Sequence, residues 1–127
     1  MSTSVKEMMA AANAAVPRLA PAEALARIRA GDALIVDVRD PTEVQQSGKV
    51  RGAVAVSRGM LEFRADPDVA AYHTPAFRKD RPVLVYCASG GRSALAGKVL
   101  KDMGYANVTN IGGFKELADA GAEIEAG

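Results

Sequence analysis

Apolar residues in this chain occur in two kinds of segment, which alternate along the sequence. Some recur every three or four positions, which is typical of an amphipathic helix, and others form short uninterrupted runs, which are typical of a strand covered on both faces. The helical spacing predicts helices over residues 4 to 15, 21 to 30 and 92 to 103, and a last helix that contains Phe114 and Leu117. The uninterrupted runs predict strands at residues 33 to 36, 53 to 56, 83 to 86 and 107 to 111.

Residues that begin or end helices stand where this pattern requires them. Pro21 suits the first turn of the second helix, and Gly31 can end it. Asp40, with Glu43 three positions later, has the spacing of a capping box. This pair predicts a further short helix, which closes near Gly48.

Strands that alternate with helices predict an α/β fold, in which a central parallel sheet is flanked by helices on both faces. One core of this kind suits a chain of 127 residues, so we expect a single domain. Ligands of parallel sheets lie at the carboxyl ends of the strands. Residues 37 to 39 and 87 to 92 each follow a predicted strand, and we expect both segments at the same edge of the sheet. Residues 58 to 79 are irregular and predict only short helical turns.

The first predicted helix carries an apolar stripe that needs a surface to cover. Val5, Met8, Ala12 and Val16 belong to this stripe. It predicts docking on the helix's own domain, and contact with a second copy or another partner is the alternative.

Composition excludes several classes of function. The formal net charge is +1, so neither nucleic acid nor an anionic membrane surface is an expected partner. No stretch is long and apolar enough for a transmembrane helix, and we expect a cytoplasmic location. The chain has one cysteine, Cys87, so an intramolecular disulfide is excluded. Its one histidine, His73, forms no recognisable metal-ligand spacing with Cys87. We expect no metal and no other cofactor.

The candidate for chemistry is Cys87, at the end of the strand predicted over residues 83 to 86. The next five residues include two glycines and no bulky apolar side chain, and they open a helix whose first N–H groups have no partners within the helix. Those donors stabilise an anion such as a thiolate. Arg92 opposes the dipole at the start of this helix, which favours an anionic ligand or intermediate nearby. The alternative is that Cys87 is a small buried hydrophobic residue.

The segment from Tyr86 to Ser93, YCASGGRS, resembles the active-site loop of rhodanese-type sulfurtransferases. Three further motifs resemble segments of the same family and stand in the family's order, at residues 35 to 43, 50 to 54 and 111 to 114. Each motif is weak alone, but four in order are a specific signal. The resemblance covers residues 19 to 122. It implies a rhodanese-like domain over residues 18–127, after an N-terminal helix within residues 1–17.

Loop length separates two activities that share this fold. Four residues lie between Cys87 and Arg92, whereas protein-tyrosine phosphatases with this fold have one residue more and a wider ring of donors. The shorter loop favours a single sulfur atom on the cysteine over a phosphoryl group, because the size of the ring determines which anion the donors reach. Phosphatase or arsenate-reducing activity is one alternative. A module that carries sulfur or binds a partner without turnover is another.

The resemblance implies that Cys87 is the nucleophile, which takes sulfur from a small anionic donor such as thiosulfate and holds it as a persulfide. The acceptor is cyanide in a test tube, and a thiol or a protein cysteine in a cell. Residues expected to bind the substrate are Ala88, Ser89, Gly90, Gly91, Arg92, Ser93 and Arg58. Asp37 is expected to hold the loop by hydrogen bonds. Arg39 is expected to pair with Glu43 or Asp40. A monomer or a homodimer is expected.

Two positions depart from the family's pattern. Many rhodanese-type proteins have a glycine–histidine pair where this chain has Gly48 and Lys49, and many have tryptophan where it has Phe114. The first change alters a local hydrogen bond, and the second alters packing near the last helix. Neither removes a nucleophile or a donor of the loop.

Overall fold

A computed structural model describes residues 2–127 of the chain. The helices are α1 (Val5–Ala15), α2 (Pro21–Ala30), α3 (Pro41–Ser47), α4 (Leu61–Ala65), α5 (Gly91–Asp102) and α6 (Phe114–Ala120), with a 3-10 turn at Arg58–Met60. The strands are β1 (Leu34–Asp37), β2 (Lys49–Val50), β3 (Val54–Ala55), β4 (Val83–Cys87), β5 (Val108–Gly113) and β6 (Ile124–Glu125). The predicted α/β fold is confirmed.

Four strands form a parallel sheet in the order β3-β1-β4-β5. Every residue of β1 and β4 is buried, because these strands lie in the middle of the sheet and helices cover both faces. One face packs in a core that includes Leu61 of α4 and Leu100 of α5. The other packs in a core that includes Ala24 of α2 and Leu117 of α6. This is the predicted central sheet with helices on both faces.

Side chains of β4 alternate between the two cores, as the pleat of a strand requires. Val83, Val85 and Cys87 belong to the core on the α5 side. Leu84 and Tyr86 belong to the core on the opposite side. The alternation therefore places the Cys87 side chain on the face covered by α5, the helix into which its own loop leads.

The helix ends follow the residues that predicted them. Helix α2 begins at Pro21 and ends before Gly31, which has a φ of 77° in the left-handed region. At the start of α3, the N–H of Asp40 donates to the carboxylate of Glu43 at 3.1 Å, which is the predicted capping contact. Within residues 2–127, no helix combines the length and the apolar character needed to cross a bilayer.

A second, smaller sheet pairs β2 with β6 in antiparallel orientation, and the sequence did not predict it. Strands of two residues carry too little periodicity to be recognised in a sequence. Lys49, which stands where many rhodanese-type proteins have histidine, donates from Nζ to the Ala53 carbonyl at 2.8 Å and to Glu125 at 2.9 Å. The lysine therefore ties β2 both to the turn that follows it and to β6.

Helix α1 docks on its own domain through one end of its apolar stripe. Ala12 is fully buried and Val16 lies in the core on the α5 side. Gly97 of α5 permits this approach, because a Cβ there would lie 2.9 Å from a methyl group of Val16. Val5 and Met8, at the other end of the stripe, stay exposed.

The segment after α1 runs beside β5. The N–H of Asn110 donates to the Pro17 carbonyl at 2.9 Å, and the N–H of Leu19 donates to the Asn110 carbonyl at 3.1 Å. These two bonds place Arg18 beside Asn110 in β5. The division of the chain at residues 17 and 18 stays a prediction.

Candidate active site

The carboxyl ends of β1 and β4 meet at one edge of the sheet. Asp37 pairs in register with Tyr86, and the N–H of Val38 donates to the Tyr86 carbonyl at 3.0 Å. Residues 37 to 39 and 87 to 92 therefore leave the sheet side by side, as the parallel topology predicts.

The sulfur of Cys87 accepts hydrogen bonds from the loop that follows it. The Gly90 N–H lies 3.0 Å from Sγ and the Ser93 hydroxyl lies 3.4 Å from it. The side chain is 1% exposed. Burial acts to raise the pKa of the Cys87 thiol, but hydrogen bonds from the Ser93 hydroxyl and from the N–H groups of Ser93, Ser89 and Gly90 outweigh it and lower the pKa. The loop therefore stabilises negative charge on sulfur.

Asn110 is a buried polar residue that the sequence analysis missed. Its Oδ1 accepts from the Ser93 hydroxyl at 2.8 Å and from the Gly112 N–H at 2.9 Å, and its Nδ2 donates to the Gly90 carbonyl at 3.0 Å. The Ser93 hydroxyl has one proton, so Asn110 and the Cys87 sulfur compete for it. The available signal was an asparagine in an apolar strand, at the end where parallel sheets bind ligands.

Arg18 lies on the outer side of the loop and was also missed. Its Nη2 donates to the Ser89 carbonyl at 3.3 Å and lies 3.8 Å from Oε1 of Glu116. The guanidinium rests against Gly90 and Gly112. Arg18 and Ser89 are 71 positions apart in the chain, so the sequence pattern carries no sign of this contact.

Two glycines near the cysteine are required, Gly90 by its backbone conformation and Gly113 by close approach. Gly90 has a φ of 103°, and a Cβ at this position would collide with the guanidinium of Arg18. A Cβ at Gly113 would collide with the Ala88 carbonyl oxygen. The last residue of β5 thus packs directly on the first residue of the loop, which explains the glycine in the closing motif.

Arg92 donates to a carboxylate of α3. Its Nη1 lies 2.6 Å from Oε1 of Glu43 and its Nη2 lies 3.0 Å from Oε2, while Asp40 lies 4.0 Å away. The hydrogen bonds from Arg92 lower the pKa of Glu43 to about 2, and Glu43 in turn raises the pKa of Arg92. The positive charge next to the loop is therefore shared with acidic side chains.

Asp37 and Arg39 form a buried ion pair with each other, which corrects two expectations. Nη2 of Arg39 lies 2.7 Å from Oδ2 of Asp37, and Nε lies 3.0 Å from Oδ1. Within residues 2–127, the carboxylate of Asp37 accepts hydrogen bonds from Arg39 and none from the loop. Arg39 accordingly pairs with Asp37 and not with Glu43 or Asp40. A buried carboxylate needs a partner inside the protein, and the residue two positions along the chain meets it with a bidentate guanidinium.

The other contacts of Arg39 anchor the end of α3. Nη1 donates to the Ser47 hydroxyl at 2.8 Å, and Nη2 donates to the Gly48 carbonyl at 2.7 Å. The guanidinium carbon lies 4.2 Å from the centre of the Phe114 ring, which also stacks on Tyr86. Arg39 thus connects the end of β1 to the end of α3 and to the Phe114 ring.

The remaining predicted binding residues differ in exposure. Ala88 and Ser89 are exposed, whereas Gly90 and Ser93 are buried. Arg58 donates to Glu62 at 2.8 Å and lines an open groove beside α1 and α5. A role for Arg58 in substrate binding stays a prediction.

The chain is similar in sequence and in fold to known proteins. Thiosulfate sulfurtransferase PspE of Escherichia coli is 36% identical over 86 residues, which cover 65% of this chain and 72% of PspE. A Rhodopseudomonas palustris protein, described as of unknown function and a possible tyrosine phosphatase, is 43% identical with a TM-score of 0.90, over 98% of this chain and 96% of that one. The polysulfide-sulfur transferase homodimer of Wolinella succinogenes is 31% identical with a TM-score of 0.72, over 96% and 87% of the two chains. The rhodanese-like domain model matches residues 20–120, and the chain belongs to the rhodanese-like domain family.

Proposed function

We propose that this protein is a sulfurtransferase, which moves a sulfane sulfur from a donor such as thiosulfate to cyanide or a thiol through a persulfide on Cys87. The observation that carries the proposal is the hydrogen-bonded sulfur, with the Gly90 N–H at 3.0 Å and the Ser93 hydroxyl at 3.4 Å. Relatives at 36% and 31% identity are described as thiosulfate and polysulfide sulfurtransferases, which supports the same chemistry here.

In the first step, the Cys87 thiolate attacks the outer sulfur of thiosulfate. A sulfur–sulfur bond forms on Cys87, the bond to the sulfite group breaks, and sulfite leaves with the electron pair. The product is an anionic persulfide, so the N–H groups that favour the thiolate also favour the outer sulfur. The total negative charge is the same before and after the step.

In the second step, an acceptor nucleophile removes the outer sulfur. Cyanide attacks it, thiocyanate leaves, and Cys87 returns to the thiolate. The thiolate form of a small thiol or of a protein cysteine attacks in the same way and becomes a persulfide itself. This step needs no general base, because the attacking cyanide or thiolate carries no proton to remove and the leaving Cys87 thiolate is stabilised by hydrogen bonds.

Arg92 is the proposed group for the oxyanion of the donor, with Arg58 as a second. A guanidinium has five N–H donors, and the two hydrogen bonds to Glu43 leave three for a donor molecule. The negative thiolate repels a thiosulfate dianion, so a positive charge at this position lowers the energy of the encounter.

Phosphatase activity is the second candidate, because a relative at 43% identity is described as a possible tyrosine phosphatase. The four residues between Cys87 and Arg92 argue against it, since they form a smaller ring than the phosphatase loop. Hydrolysis of an aryl phosphate by the wild-type protein, lost in Cys87→Ser, is the result that favours this candidate.

Turnover of thiosulfate and cyanide tests the proposal. We expect multiple equivalents of thiocyanate per chain from the wild-type protein and none from Cys87→Ser, with Ser89→Ala as a control that keeps every backbone N–H group. Intact mass after thiosulfate treatment is expected to show one added sulfur on Cys87. One added sulfur without turnover indicates a carrier instead of an enzyme. A Cys87 thiol that neither alkylates nor takes up sulfur contradicts both.

Oligomeric state is tested separately. A relative at 31% identity is described as a homodimer, which supports a dimer among the two states proposed here, monomer and homodimer. Light scattering of the purified protein distinguishes them.

A further inference from the structure

We propose that Arg18 is a positioning residue for Cys87: by donating to the Ser89 carbonyl, it strengthens the hydrogen bond from the Gly90 N–H to the cysteine sulfur. The inference rests on the proposed function, because it concerns the sulfur anion on which that function depends. Arg18 acts through the loop and does not itself touch the sulfur.

A single peptide group links Arg18 to the cysteine sulfur. The carbonyl of Ser89 and the N–H of Gly90 are the two ends of the same peptide unit. Nη2 of Arg18 donates to the carbonyl end at 3.3 Å, and the N–H end donates to Sγ of Cys87 at 3.0 Å. A positive charge, a peptide dipole and the sulfur therefore follow one another in a continuous chain of hydrogen bonds.

Hydrogen bonds in such a chain strengthen one another. A cation at the carbonyl oxygen draws electron density toward the oxygen and leaves the N–H proton more positive. The Gly90 N–H then becomes a stronger donor, and this stabilises an anionic sulfur more than a neutral thiol. Arg18 thus favours the thiolate and, after sulfur uptake, the anionic persulfide.

The position of Arg18 is held from several sides. Its backbone is fixed beside β5 by the two hydrogen bonds of Asn110, and its guanidinium rests against Gly90 and Gly112. Glu116 lies 3.8 Å away, which is too long for a hydrogen bond but close enough to attract the guanidinium. The charge is therefore placed at the loop by the fold.

The carbonyl of the next peptide in the loop also accepts a hydrogen bond from a side chain outside the loop. The Gly90 carbonyl, which belongs to the peptide of Gly91, accepts a hydrogen bond from Nδ2 of Asn110 at 3.0 Å. Two consecutive carbonyls of the loop therefore accept hydrogen bonds from side chains outside the loop, Arg18 and Asn110. A loop that served only as a turn would not require a cation at one of them.

Other charged groups also face this region. They are Arg92 on α5, Glu43 and Asp40 at the start of α3, Glu116 on α6, and the Asp37–Arg39 pair after β1. All of them remain in an Arg18 variant, and only Glu116 loses a contact, so a shift in the pKa of the thiol follows from the loss of the Arg18 guanidinium.

The test is the pH dependence of alkylation of Cys87 by iodoacetamide, a neutral reagent. In Arg18→Met, we expect the midpoint of the profile to move to higher pH, with an alkylation rate about threefold lower on the acid side and an unchanged rate at the alkaline plateau. Arg18→Lys keeps the charge, and its midpoint is expected to lie between those of Arg18→Met and the wild type. Arg29→Met is the matched control, since Arg29 is exposed on the last turn of α2, about 12 Å along the helix from Pro21 by the helical rise.

A superimposable profile for Arg18→Met overturns the inference, and so does an equal shift in Arg29→Met. A fall in the alkaline plateau without a shift of the midpoint also overturns it, because that result indicates altered access to the sulfur. Iodoacetamide needs no sulfur donor. A shifted profile in a protein that makes no thiocyanate therefore contradicts the proposed function and supports the role of Arg18.

Discussion

The guanidinium of Arg92 donates two hydrogen bonds to the carboxylate of Glu43, at 2.6 and 3.0 Å. Glu43 also accepts from the Asp40 N–H at 3.1 Å, so one carboxylate caps α3 and holds the arginine of the loop. The same arginine is the proposed binding group for an anionic donor. Glu43 therefore both orients Arg92 and reduces the attraction between Arg92 and that donor.

Glu43→Gln is expected to lower the KM for thiosulfate. The amide oxygen still accepts from Asp40, but the negative charge next to Arg92 is gone, so we expect a KM lower by about threefold at low ionic strength and less at high salt. Steady-state kinetics at two salt concentrations measures this. Glu23→Gln removes an exposed carboxylate from α2 and serves as the control. An unchanged KM in Glu43→Gln at low salt contradicts the competition between Glu43 and the donor.

The Arg92–Glu43 pair also predicts a pH dependence of stability. Arg92 lowers the pKa of Glu43 from 4.5 to about 2 in the folded protein, so the pair contributes stability above pH 4.5 and loses it as the pH falls toward 2. Both side chains are about one third exposed, so the contribution is modest. Urea midpoints of wild-type protein and Glu43→Gln are expected to converge over this range. A constant difference between them down to pH 2 would be inconsistent with the pairing.

Ser93→Ala is expected to raise the pKa of the Cys87 thiol. The variant removes the hydroxyl that lies 3.4 Å from Sγ, and the Gly112 N–H still satisfies Oδ1 of Asn110. We expect alkylation on the acid side of the pH profile to slow by about threefold. Ser89→Ala, which removes an exposed hydroxyl from the same loop, is expected to match the wild type. Equal profiles for Ser93→Ala and Ser89→Ala would assign the stabilisation of sulfur to the backbone alone.

Adjacent glycines of the loop are expected to differ in their tolerance of a methyl group. Gly90→Ala places a side chain at a φ of 103° and against Arg18, which we expect to destabilise the protein by at least about 1 kcal/mol. A Cβ at Gly91 meets nothing within 4 Å, so Gly91→Ala is expected to keep the wild-type free energy of unfolding. Urea denaturation measures both. Equal stability of the two variants would show that Gly90 is not required.

Arg39→Met is expected to be the most destabilising of these changes. It leaves Asp37 buried without its partner, which we expect to lower the free energy of unfolding by about 3 kcal/mol. The exposed Arg51–Glu123 pair is the control, and Arg51→Met is expected to leave the stability unchanged. A small effect of Arg39→Met would mean that the Asp37–Arg39 pair is replaceable.

Much of this molecule follows from local sequence. Apolar spacing predicts α2 and α5 within one residue of their observed bounds, because the period of a helix or strand is a property of consecutive residues. The alternation of elements predicts the parallel sheet, and the parallel sheet predicts that residues 37 to 39 and 87 to 92 share an edge. The short strands β2 and β6 were not predicted, because two residues are too few to show a periodic pattern.

The sequence by itself determined the position of the candidate nucleophile, the length of its loop and the edge of the sheet where it lies. Only the tertiary structure assigned the distant partners of the charged and polar side chains: Arg92 to Glu43, and Arg18 and Asn110 to carbonyl groups of the loop. The reason is distance. A hydrogen bond depends on differences of a few tenths of an ångström between groups that stand 49 or 71 positions apart, and the packing of whole helices sets those distances.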